Sequence, residues 1–286
     1  MMVPRVVPVT GVQRITPRTV RITVSGVNVA PPTPDAHVKV FFPLPGQSAP
    51  HLAPPVAGDL VSWYRSYLDM PDELRPPMRT YTVRAYRPDR AEIDIDFVLH
   101  GDDGLASRWA GAARPGDLVA VLGPAGQAAA GDGPRWHLLV GDETAVPAIG
   151  SIIEAAPAGT RLRAFVEVAD PEEHQRFASR AEVDIQWLYR NGHSVLLDAV
   201  RATEFTGEGA QAWVAGESGM VRAVRRHLVR ERGFEAAMVS FHGYWQAGMS
   251  EEDVGRAGLR RIAAGQSPEE ADDDAIEMAP ESLRSG

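Results

Sequence analysis

The chain has 286 residues, a formal net charge of −9 at pH 7, and 44% hydrophobic against 23% charged residues, enough for about two domains with separate cores. The negative charge argues against a general nucleic-acid partner, and the absence of cysteine excludes disulfides, thiolate nucleophiles, zinc–cysteine sites and cysteine-ligated iron–sulfur clusters. No apolar run approaches the ~20 residues that span a bilayer, and MMVPRVVPVTG lacks the features of a secretory signal, so a soluble cytoplasmic protein is expected.

The first half reads as β structure. Residues 18–24 alternate in polarity, and so do residues 92–99, where Ile93, Ile95, Phe97 and Leu99 share one face and Asp94 and Asp96 the other. A further strand covers residues 117–122. These short strands, divided by turn residues and without a long helix, predict an antiparallel barrel. Between them, residues 43–78 form a Pro/Gly-rich excursion carrying Trp63, Tyr64 and Tyr67, which is expected to be a functional loop or lid. It leads into Arg79-Thr80-Tyr81-Thr82-Val83-Arg84. A strand there places Arg79, Tyr81 and Val83 on one face and Thr80, Thr82 and Arg84 on the other, so planar cations, a phenol and hydroxyls are available to a flat, phosphorylated ligand. The same run also suits an ordinary half-exposed strand.

After the strand at 92–99, His100-Gly-Asp-Asp-Gly104-Leu105-Ala106-Ser107-Arg108 reads as a turn into a short helix. The helix start, the Ser107 hydroxyl and Arg108 can receive an anion, or the segment is a simple capped loop. His100 reads as a structural histidine with no acid/base role. The Ala/Gly-rich stretch at 126–134 marks a change of texture and the expected domain boundary. Beyond it, apolar strands at 136–140, 162–168, 183–188, 212–215 and 237–241 alternate with helices, one carrying Val146, Ile149, Ile152 and Ile153 and another Val221, Val224 and Leu228 and stopped by Gly233. That alternation predicts a doubly wound parallel sheet. Ligands of such sheets sit at the carboxyl ends of strands, which singles out Gly141-Asp142-Glu143-Thr144 and Gly216-Glu217-Ser218. Each also reads as a plain capped turn. The last strand ends in Tyr244-Trp245, either core-edge packing or a cover for a cofactor. The tail from about Gly265 is acidic and reads as solvated, frayed or weakly helical.

Taken in order, RTYTVR, HGDDGLASRWA, GDETAVPAI, WVAGESGMVR and GYWQAG resemble the siderophore-interacting proteins, FAD-containing ferric-siderophore reductases within the ferredoxin–NADP reductase-like group. The resemblance spans roughly residues 5–250. It implies a six-stranded FAD-binding barrel over 1–130, an NAD(P)H-binding α/β domain over 131–248, and a C-terminal tail, partly helical or disordered, over 249–286. It places Arg79 near the FAD phosphates, Tyr81 against the isoalloxazine, Thr82 near its reactive edge, and the Gly104–Ser107 turn on the pyrophosphate. Asp142, Glu143, Thr144, Gly216, Glu217 and Ser218 would line the nicotinamide site, with Tyr244 and Trp245 near the flavin. Thr80, Arg84, His100, Leu105 and Ala106 complete the expected cofactor-binding set.

The implied activity is reduction of iron in a ferric siderophore, with electrons passing from NAD(P)H through FAD and release as Fe(II). No catalytic side chain and no resident metal are expected. The remaining readings are a flavin reductase serving a protein acceptor, a non-catalytic flavin or siderophore carrier, and a pure protein-interaction module. The protein is expected to be monomeric and not inserted in membrane. Relatives often hold the anionic chelate with lysines, whereas this chain has a single lysine, Lys39, which leaves the role to arginines. A carboxylate at Glu167 or Asp170 can favour ribose hydroxyls, and Arg176 or Arg222 a 2′-phosphate.

Overall fold

The computed structural model describes residues 4–30, 32–52, 60–99, 104–125, 136–205 and 209–263. The first layer is antiparallel. Its strands are β1 (Arg5–Thr16), β2 (Thr19–Ser25), β3 (His37–Phe41), β4 (Met78–Thr82), β5 (Ala85–Arg87), β6 (Glu92–Val98) and β7 (Leu118–Ala125), in the order β4-β3-β7-β1-β2-β6-β5. The two outermost strands, β4 and β5, are one chain run broken only by Val83 and Arg84. Val83 N–H reaches Ala36 O at 2.7 Å and Arg84 N–H reaches Asp94 O at 2.8 Å, so the run leaves β3 and joins β6. The seven strands are therefore a closed barrel of six segments, one of them kinked, and closure removes most of the exposed sheet edge.

Period-two alternation fills the barrel with Val7, Val9, Val20, Ile22, Val38, Val40, Ile93, Ile95 and Phe97. On the outer face, Asp94 and Asp96 are buried under arginines rather than solvated. Arg21 grips Asp96 at 2.7 and 2.8 Å, and Arg87 grips Asp94 at 2.7 and 2.6 Å. Cross-strand register puts Arg21 opposite Asp96 and Thr23 opposite Asp94.

The proline-rich excursion is not a lid where it is described. It contains helix α1 (Leu60–Leu68), and Trp63, Tyr64 and Tyr67, at helical spacing, are buried against Phe41, Met78, Ala120 and Leu122 on the outside of β3, β4 and β7. Helix α2 (Leu105–Ala112) packs across β6 and β2. A C-terminal helix, α6 (Glu251–Ala263), completes the outer layer beside α1 and β4. The expected acidic tail and domain boundary fall at residues 264–286 and 126–135, outside the described residues.

The second layer is the predicted parallel sheet. Strands β8 (Trp136–Gly141), β9 (Arg161–Val168), β10 (Glu182–Tyr189), β11 (Gln211–Glu217) and β12 (Val239–Trp245) lie in the order β10-β9-β8-β11-β12. Helices α3 (Val146–Ala155), α4 (Leu196–Ala202) and α5 (Ser218–Glu231) connect them. Leu139, Ala164, Val166 and Trp213 face α3, and Leu138, Val140, Phe165 and Val214 face α4 and α5, so both surfaces of the sheet are covered. Chain order reverses between β8 and β11, which opens a crevice at their carboxyl ends.

Two acids of the second layer, the exposed Glu154 and the buried Glu173, tie it to the barrel. Glu154 on α3 takes both Nη groups of Arg84 at 2.7 and 2.8 Å, and Ser151 donates to Arg84 O at 3.0 Å. Glu173 accepts from Thr16 Oγ1 at 2.5 Å and from Arg18 N–H at 2.9 Å at the β1–β2 turn.

Candidate functional site

The crevice between β8 and β11 is organised by Asp142, the first residue after β8. Its Oδ1 accepts from Thr144 N–H at 2.9 Å and Thr144 Oγ1 at 2.5 Å. Its Oδ2 accepts from Glu217 N–H and from Trp245 Nε1, both at 2.9 Å. One carboxylate thus joins the ends of β8, β11 and β12. Burial, reinforced by Glu143, pushes the Asp142 carboxyl up, while the Thr144 and Trp245 hydrogen bonds work against that shift. Gly216 makes the convergence possible: its φ is +137°, and a Cβ there would lie 2.5 Å from Asp142 Oδ2.

Helix α5 starts in the same crevice. Glu217 accepts from Met220 N–H at 2.9 Å, and the buried Ser218 donates to Trp245 O at 3.1 Å. Asp142, Thr144, Gly216, Glu217 and Ser218 are therefore brought together, and Trp245, expected near the flavin, joins them here. Tyr244 lies on the other side of β12, against Trp213 and His242. Glu143 faces Arg190, which holds it at 3.0 and 2.5 Å and also donates through Nε to Glu167 at 2.9 Å. Arg190 was missed by sequence reasoning. Glu167 is buried and its second oxygen accepts from Val195 N–H, so it is closed to a ribose; Asp170 caps Glu172 N–H and lies 3.9 Å from Arg18.

At the barrel, Tyr81 of β4 and Val83 just after it pack against the barrel core. Tyr81 packs on Phe97 with ring centroids 4.2 Å apart, and Phe97 packs in turn on Trp109 of α2. Thr82 is buried opposite His37. Arg79 Nη1 donates to Met78 O at 2.5 Å and to both Glu252 oxygens at 2.9 and 3.1 Å, and the side chain stays 35% exposed. Thr80, expected at the cofactor, instead gives its N–H and hydroxyl to Glu251 at 2.7 and 2.5 Å. Arg84, also expected there, is committed to Glu154. Lys39 is buried on Glu251 at 2.7 Å, so the chain's one lysine does not face a chelate. Gly104 begins α2 without a side-chain cap, followed by the buried Ala106 and Ser107 and the half-buried Leu105. His100 lies outside the described residues. Among the described residues, no hydrogen bond or ring contact joins Trp245 to Tyr81; the polar contacts between the two halves include Arg84 with Glu154 and Ser151, and Glu173 with Thr16 and Arg18.

A barrel with an Arg-Thr-Tyr-Thr strand, followed by a parallel sheet with an acid-lined switch-point crevice, defines the flavin- and nicotinamide-linked oxidoreductases. Residues 8–128 match the siderophore-interacting FAD-binding domain and residues 134–248 the siderophore-interacting protein model. The chain is 34% identical over 223 residues to ferric vibriobactin reductase ViuB of Vibrio cholerae, covering 76% of this chain and 79% of that protein. It is 32% identical over 218 residues to the NADPH-dependent ferric-chelate reductase of Escherichia coli, covering 74% and 80%. The crystal structure of a siderophore utilization protein from T. fusca superposes with a TM-score of 0.75 at 33% identity, covering 87% of this chain and 96% of that one. The chain belongs to the siderophore-interacting protein family.

The residues present fit FAD, the cofactor of this family. Arg79 Nε and Nη2 have no partner among the described residues, which leaves the fork of the guanidinium that matches a phosphate. The start of α2, with Gly104 as N-cap and no side-chain cap hydrogen bond, lies on the same barrel and has the polarity that suits an anion.

Proposed function

We propose that this protein is an FAD-dependent reductase that uses NADPH to reduce Fe(III) held in a siderophore and so releases it as Fe(II). Two relatives that align along most of this chain are named ferric-chelate or ferric vibriobactin reductases, one of them NADPH-dependent. The observation that carries the reading is the open guanidinium edge of Arg79 on the strand that also bears Tyr81. It gives a diphosphate and an aromatic ring adjacent partners on one rigid element.

Bound FAD would supply the coupling between a two-electron hydride donor, NADPH, and two one-electron acceptors, the Fe(III) ions. The protein's own residues bind and orient. Arg79 and the α2 start would hold the phosphates and Tyr81 would back the ring, while the Asp142 node fixes the 38% exposed Trp245 at the crevice that would take the nicotinamide. NADPH and two Fe(III) give NADP+, two Fe(II) and one proton, which passes to solvent without a dedicated side chain; the lower charge of Fe(II) weakens its bonds to hard oxygen donors. The anionic chelate is held by arginines, since Lys39 is buried in an ion pair.

The test is a steady-state assay in which an Fe(II)-specific dye traps product from a ferric siderophore. NADPH-dependent colour that falls at least tenfold in Arg79→Ala at limiting FAD supports the reading. Wild-type turnover of free flavin without Fe(II) formation contradicts it.

A further inference from the structure

Both family models end at or before residue 248, yet helix α6 over 251–263 touches the strand that carries Arg79. The contact follows from strand geometry. Along β4 the N–H groups alternate in direction, and those of Met78 and Thr80 point away from β3. They would be unpaired at the seam where the run departs for β6. Glu252 accepts the Met78 N–H at 3.0 Å and Glu251 accepts the Thr80 N–H at 2.7 Å. Two carboxylates from one helix turn thus replace the missing strand.

The same two acids balance two cations. Glu251 pairs with the buried Lys39, and Glu252 pairs with Arg79. The Glu252 contact is one-sided. It engages only Nη1, which also donates to Met78 O, and leaves Nε and Nη2 unbonded among the described residues. A long, rotamer-rich side chain is therefore held at one edge and open at the other. Fixing it before binding removes an entropic cost that a free arginine would meet when it grips an anion. Against this stands the repulsion between a carboxylate and a phosphate. Within the cluster it is offset, because two cations and the positive start of α6 face two carboxylates.

We infer that α6, acting through Glu252, is a positioning element for the flavin: it presents the open edge of Arg79 to the FAD phosphates. The inference rests on the reading of Arg79 as a phosphate ligand, and the experiment separates the two. Apoprotein of the full chain is titrated with FAD, following flavin fluorescence, for wild type, Arg79→Ala, Glu252→Ala, Glu252→Gln and the Arg79→Ala/Glu252→Ala double variant. Circular dichroism reports folding.

Glu252→Ala should weaken FAD binding about tenfold, the loss expected for one charge-assisted contact. The double variant should bind no more weakly than Arg79→Ala, because both changes act through one guanidinium. Glu252→Gln keeps acceptor and shape and should recover most of the affinity, which also guards against a Glu252→Ala protein that folds poorly. Unchanged or tighter binding by Glu252→Ala while Arg79→Ala is weakened overturns the inference alone, as do losses that multiply in the double variant. Wild-type affinity in Arg79→Ala overturns the reading beneath it, and the inference with it.

Discussion

Asp142 is buried and accepts four hydrogen bonds, and among the described residues no cation pairs with it. Its stability contribution therefore comes from satisfying donors, against the cost of burying its charge. Asp142→Ala leaves the N–H groups of Thr144, Glu217 and Trp245 without an acceptor and should lower unfolding free energy by on the order of 3 kcal/mol, measured by urea titration. Asp94 behaves differently. Burial alone would raise its carboxyl, but Arg87 and Thr23 reverse this and hold it below the usual range. A depressed folded value stabilises above the unfolded carboxylate pKa of about 3.9 and is lost as pH falls through the folded one. Asp94→Asn should thus flatten the fall in thermal midpoint below about pH 4 relative to wild type. An identical acid limb in both proteins would remove Asp94 from the account. The residues legible in the sequence were those whose own segment explains them, such as Gly216 at a strand end or Tyr81 on an alternating face. Glu154, Arg190 and Glu252 were not, because their partners lie 70, 47 and 173 positions away. Local pattern carries no information about such pairings.

Among elements, the strands of the parallel sheet were readable because each is a short apolar run between turn residues. Helix α1 was not. Prolines on both sides made residues 43–78 read as a loop, although Trp63, Tyr64 and Tyr67 already had the i, i+1, i+4 spacing of a helix face. Helix α6 starts after Ser250, whose Oγ accepts the Asp253 N–H at 3.2 Å and donates to Asp253 Oδ2 at 2.7 Å, only half of a capping box. The two helices meet at Gly255, where a Cβ would lie 2.3 Å from Tyr64 Oη. That hydroxyl is buried and has no hydrogen-bond partner among the described residues. Gly255→Ala should therefore destabilise the protein by about 1–3 kcal/mol through overpacking. Tyr64→Phe should be neutral or slightly stabilising, because it removes a buried unpaired hydroxyl. The double variant should recover part of the Gly255→Ala loss; strictly additive melting shifts would show that the two groups do not touch.

For the whole molecule, the relation between barrel and sheet rests on a few donors and two acids. Arg84 is buried and its bidentate contact with Glu154 crosses from one layer to the other. Glu154→Ala leaves that guanidinium uncompensated and should cost about 1–3 kcal/mol, with faster limited proteolysis between the layers as the readout. The barrel, its kinked sixth segment and the switch-point crevice then form one frame for carrying electrons from a nucleotide on the sheet to a flavin on the barrel. The measurement that tests this most directly is the anaerobic visible spectrum of the FAD-loaded protein, recorded after NADPH and again after a ferric siderophore. The account predicts flavin absorbance that NADPH bleaches and the ferric chelate restores, with Fe(II) appearing at two per flavin reoxidised. A protein that takes up no FAD, or whose flavin stays oxidised with NADPH or stays reduced with the chelate, would contradict it.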